Sequence, residues 1–296
     1  MTDAARSRLD DCMDGLSVGD ALGECSRRVP PVQRQSRMLP PGPWSFTDDT
    51  QMALSVAAVL RARGDIDQDV LAASLAEHYD DWREYRPAMR GLLSRIQRGE
   101  HWLEASRSLF SGQGSFGNGA AVRAAPAGAF FADDLNAAAK QAALSAEVTH
   151  AHPEGIAGAI AVAVAAAVAW QLRDTRPLPE PQKFLEMVLA RVPLSQVRRR
   201  LSKAAELRSD TALESAVAAL GNGSEISAQD TVPFAVWCAA GHLDNYEEAL
   251  WFTANAGGDC DTNCAIAGGI VVMCSGPASI PPAWLHSREK LPLWPN

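Results

Sequence analysis

Residues 155–172 read GIAGAIAVAVAAAVAWQL, a run with no charged side chain. Such a run becomes either a membrane span, which needs about 20 apolar residues, or the central helix of a packed core. Alanine and glycine dominate it and both are weakly hydrophobic, so the reading is a buried helix, and no membrane partner is expected. Ile156, Ile160, Val164 and Val168 recur at a helical period. The same period returns in Met52, Val56, Val59 and Leu60, in Leu92, Leu93 and Ile96, and in Leu213, Val217 and Leu220. Strand-like alternation is nearly absent, and the high alanine content favours helix. The intervening stretches RARGDIDQD, FSGQGSFGNG, RDTRPLPEPQ and GNGSEISAQDTVP carry helix punctuation. The fold class that follows is all-α. No fixed-period repeat is visible, and the proline-rich segment 176–182 is too short to divide the chain. One compact multi-helix domain over residues 1–296 is therefore expected.

The net charge of −8 is spread without a basic stripe, which argues against nucleic acid as a structural partner, since phosphate neutralisation dominates that affinity. The first twenty residues hold scattered charges and no apolar signal core, so a cytoplasmic location is expected. Six cysteines, Cys12, Cys25, Cys238, Cys260, Cys264 and Cys274, form neither a zinc-type CxxC pair nor a disulfide scaffold, and read as reduced small hydrophobes. The basic segment 197–208, VRRRLSKAAELR, reads as a solvated helix face. The tail PPAWLHSREKLPLWPN, with Trp284 and Trp294 among prolines, reads as a strap laid on the surface.

Chemistry concentrates at two helix starts. In FTDDTQMAL, Thr47, Asp48 and Asp49 precede an apolar face that begins at Met52. A threonine or aspartate there can cap the first turn, and carboxylates gain roughly 0.3–1 kcal/mol each from the helix dipole. Capping alone would suffice if the cluster stood alone. Asp259, Asp261 and Thr262, however, hold a matching place before NCAIAGGIVVM. Four carboxylates and two hydroxyls are hard oxygen donors suited to Mg²⁺ or Mn²⁺, and four negative charges would balance two such ions. Gly257 and Gly258 allow backbone geometry closed to other residues. Gly268 and Gly269 each cost a helix about 1 kcal/mol against alanine, which suggests close approach of another helix or a ligand. In GSFGNGAAVR, Gly117 and Gly119 can free backbone amides to cradle a diphosphate, although such loops are also ordinary turns. In THAHPEG, His150 and His152 precede the alanine-rich helix, as cap, core-edge residue or site residue.

Taken in order, GLSVGDALGE, FTDDTQMAL, GSFGNGAAVR, THAHPEG and NAGGDCDTNCAIAGG resemble the motifs of the ADP-ribosylglycohydrolase family. The resemblance implies an all-α fold with a binuclear Mg²⁺ or Mn²⁺ centre in an ADP-ribose cleft. It implies Thr47, Asp48, Asp49, Asp259, Asp261 and Thr262 as metal ligands, with Asp49 or Asp261 orienting the attacking water. Gly117, Asn118, Gly119, Ala120 and Ala121 would border the diphosphate and ribose, and His150 would line the pocket. Asp20 reads as a hydrogen-bonding support, and Glu24 as the acidic residue that guards the metals, although relatives carry it a few residues later. Val122 stands where methionine is common, and Glu84 and Arg86 where many relatives have glycine, which reshapes the cleft mouth. The implied activity is hydrolysis of an ADP-ribosylated protein substrate, arginine-linked above other linkages, with ADP-ribose as product. Readings from other classes are a non-catalytic ADP-ribose binder or crystallin-like relative, and an immunity protein that also blocks an ADP-ribosyltransferase partner.

Overall fold

The computed structural model describes residues 2–208, 210–292 and 294. Among these the chain is built of helices, with two isolated β-bridges and no sheet. The alanine-rich run forms the helix Pro153–Gln171, started by His152, whose side chain accepts from the Glu154 amide, with Pro153 at the first position. Helices Ala125–Phe130, Leu135–Glu147, Ala228–Ala240 and Cys260–Ser275 all pack against it. The small residues of this helix are explained by how near these neighbours come: a Cβ on Gly128 would lie 2.0 Å from the Ala163 carbonyl oxygen. A helix long and apolar enough to cross a bilayer is here wrapped in protein.

The most extensive helix pairing joins Asp3–Arg28 to Cys260–Ser275. Gly15, Gly19 and Gly23, four residues apart, form a stripe along the first helix. A Cβ on Gly19 would stand 2.2 Å from the Cys264 carbonyl oxygen, and one on Gly23 2.4 Å from that of Cys260. From the other side, a Cβ on Gly268 would meet the Gly15 carbonyl oxygen at 2.4 Å. At Gly19 and Gly23 the two backbones touch directly, while the Val272 side chain packs onto Gly15, which is the close approach that the helical glycines suggest. Its consequence is positional: Asp20 and Glu24, carried on the first helix, are brought close enough to Asp261, at the start of Cys260–Ser275, for their charges to act on it.

The described part of the tail, residues 281–292 and 294, forms a strap, and residues 293, 295 and 296 lie outside the described residues. The Trp44 amide donates to the Ser287 carbonyl at 2.6 Å, Trp284 meets Trp251 edge-on, and Trp294 stacks on His78. The basic segment forms the helix Gln196–Glu206 but is more than a solvated face. The Arg198 guanidinium donates to the Leu189 and Val192 carbonyls, and that of Arg200 to the Gln229 carbonyl. The Leu189 and Val192 carbonyls lie at and just past the end of the helix Pro181–Leu189, and the Gln229 carbonyl is left open because Pro233, four residues on, has no N–H.

Candidate active site

The helix Asp48–Arg63 begins at Thr47, whose hydroxyl accepts from the Asp49 amide at 3.3 Å. Asp20 holds this start in place. Its carboxylate accepts from the Thr47 amide at 2.9 Å, the Thr47 hydroxyl at 2.9 Å, the Thr50 amide at 3.1 Å and the Thr50 hydroxyl at 2.6 Å. Two amides that a helix start leaves unpaired are thereby satisfied from another helix. Burial still pushes the Asp20 carboxyl up to about 6 against those bonds.

The second helix start, Cys260–Ser275, follows Gly257 and Gly258, both with positive φ, at +65° and +69°. Asp259 occupies the N-cap position, yet neither it nor Thr262 caps. The Asp259 side chain makes no capping bond, and the Thr262 hydroxyl donates instead to Asp49 Oδ2 at 2.8 Å. The capping reading is thus corrected for this cluster: the side chains turn toward the facing helix start. Asp49 and Thr262, 213 positions apart in sequence, join the two acidic clusters. Asp259 Oδ2 accepts from the Asn118 side-chain amide at 2.7 Å, and the same amide donates to Thr231. Arg86 reaches toward Asp259 Oδ1 at 3.6 Å. Asp261 Oδ1 is buried and without a partner.

Crowding shows in the electrostatics. Burial raises the Asp48 and Asp49 carboxyls well above the usual carboxylate range, and the neighbouring aspartates add to this. Burial, with Asp259 and Asp20 nearby, pushes Asp261 up to about 7. These are groups that resist full ionisation until positive charge arrives. Among the described residues, no three His, Cys, Asp or Glu side chains are gathered into a ready-made metal cage. The carboxylates lie instead along one wall of a shared cavity, and the unpaired Asp261 oxygen and the hard-oxygen donor set suit divalent cations there.

That cavity is about 440 Å³, of the size that holds a small ligand. Asp48, Asp49, Asp259, Asp261 and Thr262 line one side; Gly117, Asn118, Gly119 and His150 line another. Gly117 and Gly119 face the His150 ring, with Cβ atoms that would lie 3.2 Å from Nε2 and 3.3 Å from Cε1. Glu84 and Arg86 do reach the mouth, Glu84 from a left-handed backbone at φ +66°. That conformation is one glycine adopts without strain, which fits the glycine that the family resemblance leads one to expect here.

Not every expected residue reaches the wall. Thr47 stays behind it with Asp20, and Ala120 and Ala121 are fully buried in the short helix Gly119–Val122. Glu24 is engaged by Arg27 and Arg28, which also bind Glu84, and it is Arg27 that lines the cavity. Sequence reasoning missed Phe110 and Phe116. Both line the cavity, more than a third exposed, with ring centroids 6.2 Å apart. The available signal was an aromatic pair bracketing a glycine-rich loop, in FSGQGSFGNG.

An all-α scaffold here brings two Thr/Asp helix starts to one glycine-lined cavity, an acidic cleft with an oxygen-donor set suited to divalent cations. The chain belongs to the ADP-ribosylglycohydrolase family, whose profile it matches over residues 1–294. It is 28% identical to ADP-ribosylhydrolase ARH3 of Homo sapiens, with 97% of this chain and 91% of that one covered. It is 25% identical to ADP-ribosylarginine hydrolase Tri1 of Pseudomonas putida, over 95% and 74%. A solved ADP-ribosylglycohydrolase-related protein complex superposes with a TM-score of 0.69 at 25% identity, over 97% of this chain and 94% of that one. Family and relatives together support ADP-ribosyl hydrolase activity and a requirement for divalent cations.

Proposed function

We propose that the chain removes ADP-ribose from modified protein side chains, with arginine as the acceptor, and so reverses mono-ADP-ribosylation. The observation that carries the reading is the Thr262–Asp49 hydrogen bond, which makes one acidic wall from two helix starts, with the glycine loop joined to it through Asn118 and Asp259. The arginine linkage is supported by the likeness to Tri1, named as an ADP-ribosylarginine hydrolase.

Asp48, Asp49, Asp259, Asp261 and Thr262 would hold two divalent cations, Mg²⁺ or Mn²⁺, with Thr47 as a further oxygen close behind them. When bound, these ions would orient the ribose hydroxyls and make a water held beside the anomeric carbon more acidic, and so a better nucleophile at neutral pH. The chain's own residues do the rest. The missing side chains of Gly117 and Gly119 let the His150 ring pack against the loop, so that loop and ring edge together line the part of the cavity offered to a diphosphate, and Asn118 ties the loop to Asp259. Phe110 and Phe116 offer exposed ring faces on which a purine can stack. Asp261, with its unpaired oxygen, accepts a proton from the attacking water, while Asp49 is oriented by the Thr262 hydroxyl. The C–N bond breaks as the new C–O bond forms, its electron pair leaves on the guanidine nitrogen, which takes up a proton in place of the one the water lost, and free ADP-ribose and unmodified arginine result.

The test presents arginine-, serine- and acetyl-linked ADP-ribose side by side and measures release with each metal. Arginine-linked substrate should turn over fastest. Preference for another linkage would overturn the acceptor, and no release from any would overturn hydrolysis in favour of binding.

A further inference from the structure

His150 is buried, yet its Nε2 edge forms part of the cavity wall beside the glycine loop. What that edge can do depends on which ring nitrogen carries the proton. A chain of donors behind the ring decides this. The guanidinium of Arg123, wholly buried, donates through Nη2 to the Ser145 carbonyl at 2.7 Å and to the Thr149 hydroxyl oxygen at 2.8 Å. Thr149 Oγ1 in turn lies 2.7 Å from His150 Nδ1.

An arginine only donates, so Thr149 Oγ1 must accept from it. The hydroxyl then has one proton to give, and His150 Nδ1 is the acceptor in reach. In the opposite arrangement Nδ1 carries the proton, and a wholly buried hydroxyl hydrogen is left without an acceptor, at a cost of about 1–3 kcal/mol. The bonded arrangement leaves Nδ1 bare and puts the ring proton on Nε2. Burial, with Arg123 close by, also holds His150 down to about 3, so the ring is neutral near pH 7.

We infer that Arg123 and Thr149 are positioning residues that fix His150 as a neutral Nε2–H donor aimed into the glycine-lined cavity, where it hydrogen-bonds an oxygen of the ADP-ribose diphosphate or ribose. The ligand part rests on the function proposed above; the tautomer part does not. The relay also explains why an arginine is tolerated in the interior. Its charge is spread over fixed acceptors, and its effect on the cavity is to deliver one directed N–H rather than a second positive charge. A neutral donor suits this site, because the cavity already relies on cations at its acidic wall.

The test is nitrogen-15 NMR of the histidine side chains in the full chain near pH 7, with His150 assigned by its loss in His150→Gln. ADP-ribose binding by calorimetry accompanies it. The wild-type protein should show His150 protonated at Nε2 and bare at Nδ1. Thr149→Val keeps the shape and removes the hydroxyl; it should populate the Nδ1–H form and weaken ADP-ribose binding about tenfold, the equivalent of one hydrogen bond of about 1.4 kcal/mol. Thr149→Ser should restore both readings, which a purely structural role for the methyl group would not. An Nδ1-protonated ring in the wild type, or Thr149→Val with unchanged tautomer and affinity, would overturn the inference. An Nε2–H ring in a protein that binds no ADP-ribose would support the relay and refute the proposed ligand.

Discussion

With metal removed, the acidic wall should make the folded chain lose stability as pH rises, and Asp261→Asn should isolate that loss. The Asp261 carboxyl moves from its ordinary 3.8 up to about 7 in the folded chain because burial and the neighbouring aspartates oppose its charge. A carboxyl raised on folding binds more protons in the folded state. Its penalty is absent below pH 3.8, grows between 3.8 and about 7, and is complete above. At 1.36 kcal/mol for each pH step, the whole penalty is about 4 kcal/mol, more than half of it incurred between pH 5 and pH 8. Asparagine has nearly the same shape and no titration. Urea denaturation in EDTA should therefore show the variant gaining on the wild type by about 2–3 kcal/mol from pH 5 to pH 8. Saturating Mg²⁺ or Mn²⁺ should reverse the order, because the ions stabilise the folded wild type and the variant has lost a ligand. A difference independent of pH in EDTA would refute the claim that Asp261 stands in uncompensated negative charge.

Asp20→Ala removes the acceptor of four hydrogen bonds at the start of Asp48–Arg63; the expected loss is about 3–5 kcal/mol in denaturant midpoint analysis, with Asp20→Asn clearly milder. Gly19→Ala would drive a Cβ against the Cys264 carbonyl oxygen. It should cost about 1–3 kcal/mol and weaken Mn²⁺ binding by calorimetry, since the helix carrying Asp20 must shift; unchanged metal affinity would separate that packing from the site. Phe116→Ala should raise KM for an ADP-ribosylated substrate with little change in kcat, as loss of a stacking face weakens binding before chemistry.

The all-α architecture was legible because helical periodicity and punctuation are local, and the alanine-rich run 155–172 had only one soluble solution. The acidic motifs were legible for a similar reason. Each sits at a helix start, where short spacing already constrains which groups lie together. That the two clusters meet through Asp49 and Thr262 is a pairing of distant segments, and spacing carries no information about it. The failure of Asp259 and Thr262 to cap has the same origin, since a facing carboxylate wins the Thr262 hydroxyl. Likewise the stripe Gly15, Gly19 and Gly23 has a helical period that can be seen in the sequence, but its meaning requires the partner backbone. Phe110 escaped notice because its left-handed backbone, which helps bring it beside Phe116, contradicts the helix its neighbours suggest.

The central claim, that this acidic wall and glycine loop together cleave ADP-ribose from protein, is tested most directly by measuring ADP-ribose released from arginine-modified protein. The chain is stripped with EDTA and then resupplied with Mg²⁺ or Mn²⁺, beside Asp261→Asn under the same conditions. Release should vanish on stripping, return with metal in the wild type and stay absent in the variant. Release that persists in EDTA, or full activity in Asp261→Asn, would contradict the account.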